Sequence, residues 1–171
     1  MERIASPFFC LHRSSELALS RRYRGVTVSP VLEFRILGPL QAIGDAGPIQ
    51  LGGPRQRAML ALLLLQANRV VPIERLADDL YAGRPPVTAV TQVQRQVSDL
   101  RKLLGEATIE TRRPGYMLHV DEERFDLTCF ERLTAMAEQG SAEEAVTRLG
   151  EALALWRGSP LMGLEYEPFA S

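Results

Sequence analysis

Eight consecutive apolar residues, 58–65, constrain the fold of this chain more than any other segment. They follow a Gly-Gly-Pro sequence in which Pro54 suits the first position of a helix, where its missing N–H costs no hydrogen bond. The run is far shorter than the roughly 18 residues needed to cross a bilayer. It therefore predicts a helix from Pro54 to about Ala67 that is apolar on nearly every side and buried at the centre of a core.

Three short extended segments precede this helix. Residues 32–37 alternate apolar and polar side chains, which is the pattern of a half-buried strand. Residues 40–43 and 48–51 are two further short runs, and a Gly-Asp-Ala-Gly turn separates them. Together they predict a small antiparallel sheet.

Two more helices are predicted after the apolar one. A short extended link, Val70-Val71, leads into a helix at residues 72–81. A loop separates it from a third helix at residues 87–104, which Gly105 ends. The third helix carries a single apolar stripe that we expect to be buried, made of Val90, Val93, Val97, Leu100 and Leu104.

A β-hairpin is predicted next. Residues 107–111 and 116–120 are two extended runs around an Arg-Arg-Pro-Gly turn, and Tyr116 is expected to anchor the core. The order of small sheet, three helices and hairpin is that of a winged helix-turn-helix, an α+β fold. Its third helix suits the DNA major groove, where base edges are distinguishable, and its wing suits the adjacent minor groove.

Residues 121–171 contain two amphipathic helical segments and no extended segment. Segments 127–139 and 142–157 are amphipathic and predict two helices joined by Gly140-Ser141. The second is expected to bury its apolar face, made of Ala145, Val146, Leu149, Leu153 and Trp156. Helix pairs of this kind stabilise one another in arrays of roughly three repeats, so these two predict the first part of a larger all-α unit.

Charge also divides the chain. The net charge of −1 combines +2 on residues 1–53, +4 on residues 54–120 and −7 on residues 121–171. This asymmetry indicates two units with different partners, with chance variation over short windows as the alternative. We therefore expect a disordered extension at residues 1–30, a winged-helix domain at residues 31–120 and a helical domain at residues 121–171.

The sequence predicts no catalytic, metal or cofactor site. Cys10 and Cys129 have neither the number nor the spacing of a disulfide framework or a zinc site. His12 and His119 are not part of any Cys, Asp or Glu cluster, and no Gly-rich segment continues into the Gly-Lys-Ser/Thr of a P-loop. We expect a protein that is not an enzyme, has no membrane segment and is cytoplasmic.

Several motifs occur in the order found in one family of bacterial regulators. They are FRILGPL at 34–40, LGGPRQRA at 51–58, QxxVSxLRK at 94–102, RxPGY at 112–116 and ALALWRG at 152–158. On these motifs the chain resembles the Streptomyces antibiotic regulatory protein family over residues 31–169.

The resemblance implies an OmpR-type winged-helix DNA-binding domain. A bacterial transcriptional activation domain of tetratricopeptide-like helices follows it in the family, and residues 121–171 correspond to the N-terminal part of that domain. The implied partners are double-stranded DNA, bound at direct repeats near promoters, and RNA polymerase holoenzyme, with two copies forming a dimer on the DNA. Family members typically activate secondary-metabolite genes.

The third helix supplies most of the side chains expected to contact DNA. Arg pairs bidentately with guanine and Gln with adenine, which favours a set of base or near-base contacts. That set is Gln92, Gln94, Arg95 and Ser98, and Thr91 on the same face is a further predicted DNA contact. Arg101 and Lys102 are expected to hold phosphates, which position a protein without specifying sequence. Asp99 either accepts from a cytosine amino group or pairs with a neighbouring arginine.

Four arginines outside this helix complete the predicted surface. Arg112 stands at the wing turn, in the position that the family uses for the minor groove, and Arg113 is a predicted phosphate contact. Arg55 and Arg57 lie in the first turn of the apolar helix, where the helix dipole disfavours cations. A DNA phosphate would compensate them, and chance placement is the alternative.

Two other functions are compatible with the sequence. In one, the acidic helices form a protein-interaction module and the winged helix is a docking scaffold or a relic. In the other, the chain is a fragment of a larger regulator with an ATPase domain downstream.

Overall fold

The structure is a computed structural model that describes residues 31–164 and residue 167. Over that part, a three-stranded sheet is followed by three helices with a second three-stranded sheet, and then by two more helices. This is the predicted α+β winged-helix architecture with helices after it. The extension predicted at residues 1–30 lies outside the described residues.

The apolar helix, α1 (Pro54–Leu65), is the centre of the core. Residues 58–64 are all buried, as the apolar run predicts. The expectation of burial is wrong for Leu65, the last residue of the helix, which is 40% exposed. None of the helices in the described part is long and apolar enough to cross a membrane.

The N-terminal sheet is antiparallel, with Phe34 opposite Ala42. It consists of β1 (Glu33–Arg35), β2 (Gln41–Gly44) and β3 (Gly47–Pro48). The first strand is shorter than the predicted segment 32–37. The reason is that the N–H groups of Ile36 and Leu37 donate to the carboxylate of Asp126 instead of to a neighbouring strand.

The helix-turn-helix is formed by α2 (Ile73–Leu80) and α3 (Ala89–Leu104), both packed against α1. Val93, Val97, Leu100 and Leu104 are buried as predicted. The expectation for Val90 is wrong, because this side chain is 41% exposed. In the first turn of α3 the core-facing position is taken by Ala89, so the next residue points outward.

The wing contains one strand more than predicted. Its hairpin is formed by β5 (Ile109–Arg112) and β6 (Gly115–Leu118), and Tyr116 is buried as expected. The segment predicted as a link before α2 is a strand, β4 (Val71–Pro72), which pairs with β6. The two backbones approach so closely that a Cβ on Gly115 would lie 1.8 Å from the carbonyl oxygen of Val71.

The last two helices, α4 (Asp126–Gln139) and α5 (Ala142–Ala154), pack against each other. Ser141 and Glu144 form a capping box that starts α5. The predicted burial of its apolar face is wrong: Ala145 is only half-buried, and the exposed side chains are Val146, Leu149, Leu153 and Trp156. Periodicity identifies the apolar face of a helix but not whether another element covers it.

A seam joins the helical part to the N-terminal sheet, and Asp126 lies at its centre. Its carboxylate accepts the N–H of Ile36 at 2.8 Å and that of Leu37 at 2.9 Å. The Arg157 guanidinium donates to the same carboxylate at 3.3 Å, and the Arg157 N–H donates to the carbonyl of Leu37 at 2.7 Å. Burial raises the pKa of Asp126, and these donors offset part of the shift.

Gly38 allows this close contact between the two parts. Its φ of +144° is one that other residues rarely adopt. A Cβ at this position would lie 2.9 Å from the Cβ of Arg157. The seam therefore depends on a glycine as well as on a buried carboxylate.

Candidate nucleic-acid interface

The outward face of α3 is polar and lies opposite its buried stripe. The predicted contact residues on the exposed part of this face are Thr91, Gln94, Arg95, Ser98 and Lys102. Gln92 is half-buried and lies toward one edge of the face. The helix thus presents a row of amide, hydroxyl and guanidinium donors from its first turn to its last.

The charges on this face surround Asp99. Its carboxylate lies 2.9 Å from the Lys102 ammonium and 3.9 Å from Nε of Arg95. The Lys102 hydrogen bond, together with the charges of Lys102 and Arg95, holds the pKa of Asp99 below its usual value. The geometry matches the expected pairing with a neighbouring arginine and adds the lysine to it. Arg95 remains 73% exposed at its side chain.

Arg101 points toward the wing. Its Nε and Nη2 both donate to the carbonyl oxygen of Ile109, at 2.8 and 2.7 Å, and Nη2 also donates to Oγ1 of Thr111 at 2.7 Å. The guanidinium lies over the ring of Tyr116, 5.7 Å from its centroid. Arg101 therefore contacts β5 and β6, and the phosphate contact expected for it stays a prediction.

The wing turn exposes both of its arginines. Arg112 is exposed, and its Nε lies 3.2 Å from a carboxylate oxygen of Glu110. His119 lies 3.0 Å from the other oxygen of the same carboxylate. Arg113 is exposed at the tip. The turn extends a cationic edge beyond the strands that support it.

The start of α1 faces the same side as α3. A shallow groove is lined by residues 52–56, which lead into and begin α1, and by Arg95, Gln96 and Asp99 of α3. Arg55 lies over the ring of Tyr81, 5.6 Å from its centroid. Arg57 is half-buried, and its Nε has no hydrogen-bond partner within the described residues. Arg55 is thus next to the predicted reading helix, since it lines this groove.

Sequence reasoning missed two functional features of this arrangement. The contact of Arg101 with β5 and the seam at Asp126 both join elements that are separate in the chain. A helical wheel shows where Arg101 lies on α3 but carries no information about the carbonyl that it meets. No pattern in the sequence marks Asp126 as buried, because it follows three acidic residues in an acidic segment.

Two family descriptions match the chain. Residues 48–118 match "Transcriptional regulatory protein, C terminal". Residues 121–171 match "Bacterial transcriptional activator domain". The first match covers α1, α2, α3 and the wing, and the second begins just before α4.

Three named regulators are similar in sequence. EmbR of Mycobacterium tuberculosis is 39% identical over 159 residues, covering 85% of this chain and 41% of EmbR. AfsR of Streptomyces griseus is 34% identical over 134 residues, covering 76% of this chain and 14% of AfsR. DnrI of Streptomyces peucetius is 32% identical over 146 residues, covering 77% of this chain and 54% of DnrI. The chain spans about half of these relatives or less.

A solved structure is similar in fold. It is described as Mycobacterium tuberculosis EmbR in complex with low affinity phosphopeptide, and the TM-score is 0.74 at 35% sequence identity. The similarity covers 82% of this chain and 40% of that chain.

The fold, the polar face of α3 and the wing define the class as a winged-helix transcriptional regulator of the OmpR type. Within that class, the chain combines this winged helix with the start of a bacterial transcriptional activator domain and is homologous to the Streptomyces antibiotic regulatory protein family regulators EmbR, AfsR and DnrI.

Proposed function

We propose that this protein is a cytoplasmic, sequence-specific activator that binds direct repeats near promoters and engages RNA polymerase. The observation that carries the proposal is the exposed polar face of α3, which has Arg55 beside it and which Arg101 joins to a wing with exposed arginines. A helix in the major groove with an arginine-bearing wing in the minor groove is a geometry that reads DNA.

Each side chain of this surface has a role in the proposal. Thr91, Gln92, Gln94, Arg95 and Ser98 contact bases or their immediate surroundings. Arg55, Arg57, Lys102 and Arg113 hold phosphates and set the register of the protein on the duplex. Arg112 enters the minor groove, where a narrow A·T-rich segment attracts a guanidinium.

The helical part has a separate role in the proposal. Residues 121–171 carry a net charge of −7 and would repel DNA, whereas they suit a protein partner. The exposed apolar side chains of α5 favour such a contact. We assign this part to RNA polymerase, with secondary-metabolite promoters as targets and with a dimer forming on the two repeats.

The test is selection of binding sites from random duplex DNA, followed by a footprint on the enriched sequence. We expect a tandem-repeat site and affinity that falls steeply with salt. Arg95→Ala should lower affinity by about 1–3 kcal/mol and relax preference at one base position.

Arg148→Ala is the matched control, because Arg148 lies on α5 and pairs with Glu151 at 3.0 Å, away from the proposed surface. Failure of the native protein to enrich any sequence would exclude sequence-specific DNA binding. Equal footprints for Arg95→Ala and the native protein would exclude the assigned reading face.

A further inference from the structure

Arg101 joins the two elements that are proposed to touch DNA. It lies on α3, the proposed reading helix, and its three hydrogen bonds all end on β5 of the wing. Two go to the Ile109 carbonyl and one to the Thr111 hydroxyl. The guanidinium therefore binds two residues of β5 that are two positions apart. The Tyr116 ring on the paired strand lies against the guanidinium.

The shape of the guanidinium is what makes this contact specific. Arginine carries its donors in a rigid planar fork and also stacks on aromatic rings, whereas lysine offers a compact point charge. A lysine at position 101 would keep the positive charge of the helix. It could not reproduce two donors to one carbonyl, a third to a hydroxyl and the stacking on Tyr116 at the same time.

We propose that Arg101 is a positioning residue that fixes the wing against α3, and that it acts on DNA through the wing rather than through a phosphate. This inference rests on the proposed DNA-binding function. The major-groove contacts of α3 and the minor-groove contacts of the wing form together only if the wing is held at one distance and angle from the helix. Fixing it in the free protein removes an ordering cost from binding.

The first experiment compares Arg101→Lys with the native protein on the DNA enriched from the random library. A phosphate contact would survive the change because the charge is retained. A positioning role predicts an affinity loss of about tenfold or more, with loss of the wing part of a hydroxyl-radical footprint and retention of the α3 part. Arg75→Lys is the control, because Arg75 is an exposed α2 residue paired with Asp79 at 3.7 Å.

A double-mutant comparison tests the route of the effect. If Arg101 acts through the wing, Arg101→Lys should cost little once Arg112 and Arg113 are both alanine, because the contacts that it positions are already gone. A direct DNA contact would instead give losses that add. Additive losses, or native affinity of Arg101→Lys, would overturn the proposal.

If the Arg101→Lys variant does not fold, Thr111→Val is a second test of whether the contact between Arg101 and the wing affects DNA affinity. It removes one acceptor of the guanidinium without changing any charge. The proposal predicts a smaller loss, about threefold, again confined to the wing footprint. Unchanged affinity of a folded Thr111→Val protein would count against it. If the native protein selects no DNA at all, the proposed function fails and this inference with it, whereas native binding with a normal Arg101→Lys overturns this inference alone.

Discussion

Two arginine–carboxylate pairs in this molecule differ sharply in their surroundings. At the seam, Arg157 meets an Asp126 side chain of zero exposure, and the remaining acceptor capacity of the carboxylate is used by backbone N–H groups. On α3, Arg95 and Asp99 are 3.9 Å apart with side chains 73% and 37% exposed. The same two residue types therefore build the structure in one region and remain available to a ligand in the other.

Solvent explains why the two pairs differ in function. Breaking a buried pair leaves a charge or a polar group without water or partner, which is costly. Breaking an exposed pair exchanges one weak interaction for hydration, which costs little. The seam is thus suited to fixing the helical part to the N-terminal sheet, and the α3 face is suited to exchanging its internal partners for the proposed DNA ligand.

The largest effect is expected at the seam. Asp126→Ala removes the acceptor of Ile36 and Leu37 and leaves Arg157 without its carboxylate. We expect a loss of about 3–5 kcal/mol in the free energy of unfolding, measured by urea denaturation. Glu151→Ala breaks the exposed pair with Arg148 and should cost less than about 1 kcal/mol. Equal losses of unfolding free energy in the two variants would show that the buried pair stabilises the protein no more than an exposed pair.

The next effect tests the close approach at Gly38. Gly38→Ala should destabilise the protein by about 1–3 kcal/mol through crowding against Arg157, in addition to backbone strain. Gly47→Ala isolates the strain, because Gly47 also has a positive φ but a Cβ there would meet nothing within 4 Å. A thermal melt of both variants gives the difference, and identical melting shifts would show that the seam tolerates a methyl group.

The pH dependence of the seam is a smaller effect. Because the folded protein raises the pKa of Asp126, it holds a proton more strongly than the unfolded chain in the range just above pH ~4. Stability from this group is therefore present at the acidic end of the range and declines as pH rises. Relative to Asp126→Asn, the native protein should lose unfolding free energy from about pH 4 upward. An increase in the unfolding free energy over that range would contradict a raised pKa of Asp126.

The smallest effect concerns the exposed pair. Asp99→Asn should leave stability nearly unchanged and tighten DNA binding by about two- to fivefold, because Arg95 and Lys102 lose their competing anion. Binding is measured by fluorescence anisotropy across salt concentrations, with Asp79→Asn on α2 as the control. Weaker binding by Asp99→Asn would instead indicate that this carboxylate accepts from a cytosine.

The sequence predicted correctly those helices whose buried residues follow from the spacing of apolar side chains along the helix itself. The apolar run placed α1 in the core, and the stripe ending at Leu104 placed α3 on it. Predictions failed where a second element decides the outcome. Val90 and the apolar face of α5 are exposed because nothing in the described part covers them, and β4 is a strand only because β6 lies beside it.

In the candidate site, too, the sequence predicted what one helix determines by itself and missed what a second element determines. Which side chains of α3 point away from the core could be read from their spacing, and the exposed face agrees with it except at Gln92, Asp99 and Arg101, which are half-buried. That Arg101 turns to a carbonyl of the wing depends on the distance between two elements, which spacing along one helix does not encode.

Under the proposed function, the seam also has a consequence for the direction in which the acidic helices point from the bound promoter. The hydrogen bonds of the seam hold Asp126, the first residue of α4, against the segment that follows β1, and they hold Arg157, which follows α5, against the same segment. Contacts at both ends of the helix pair leave these helices less freedom of direction than a single covalent connection would. Moving the binding site by half a turn of DNA, about 5 base pairs, would carry the helices to the opposite side of the duplex. We therefore expect activation to depend more on which side of the DNA helix the binding site faces than on its distance from the promoter.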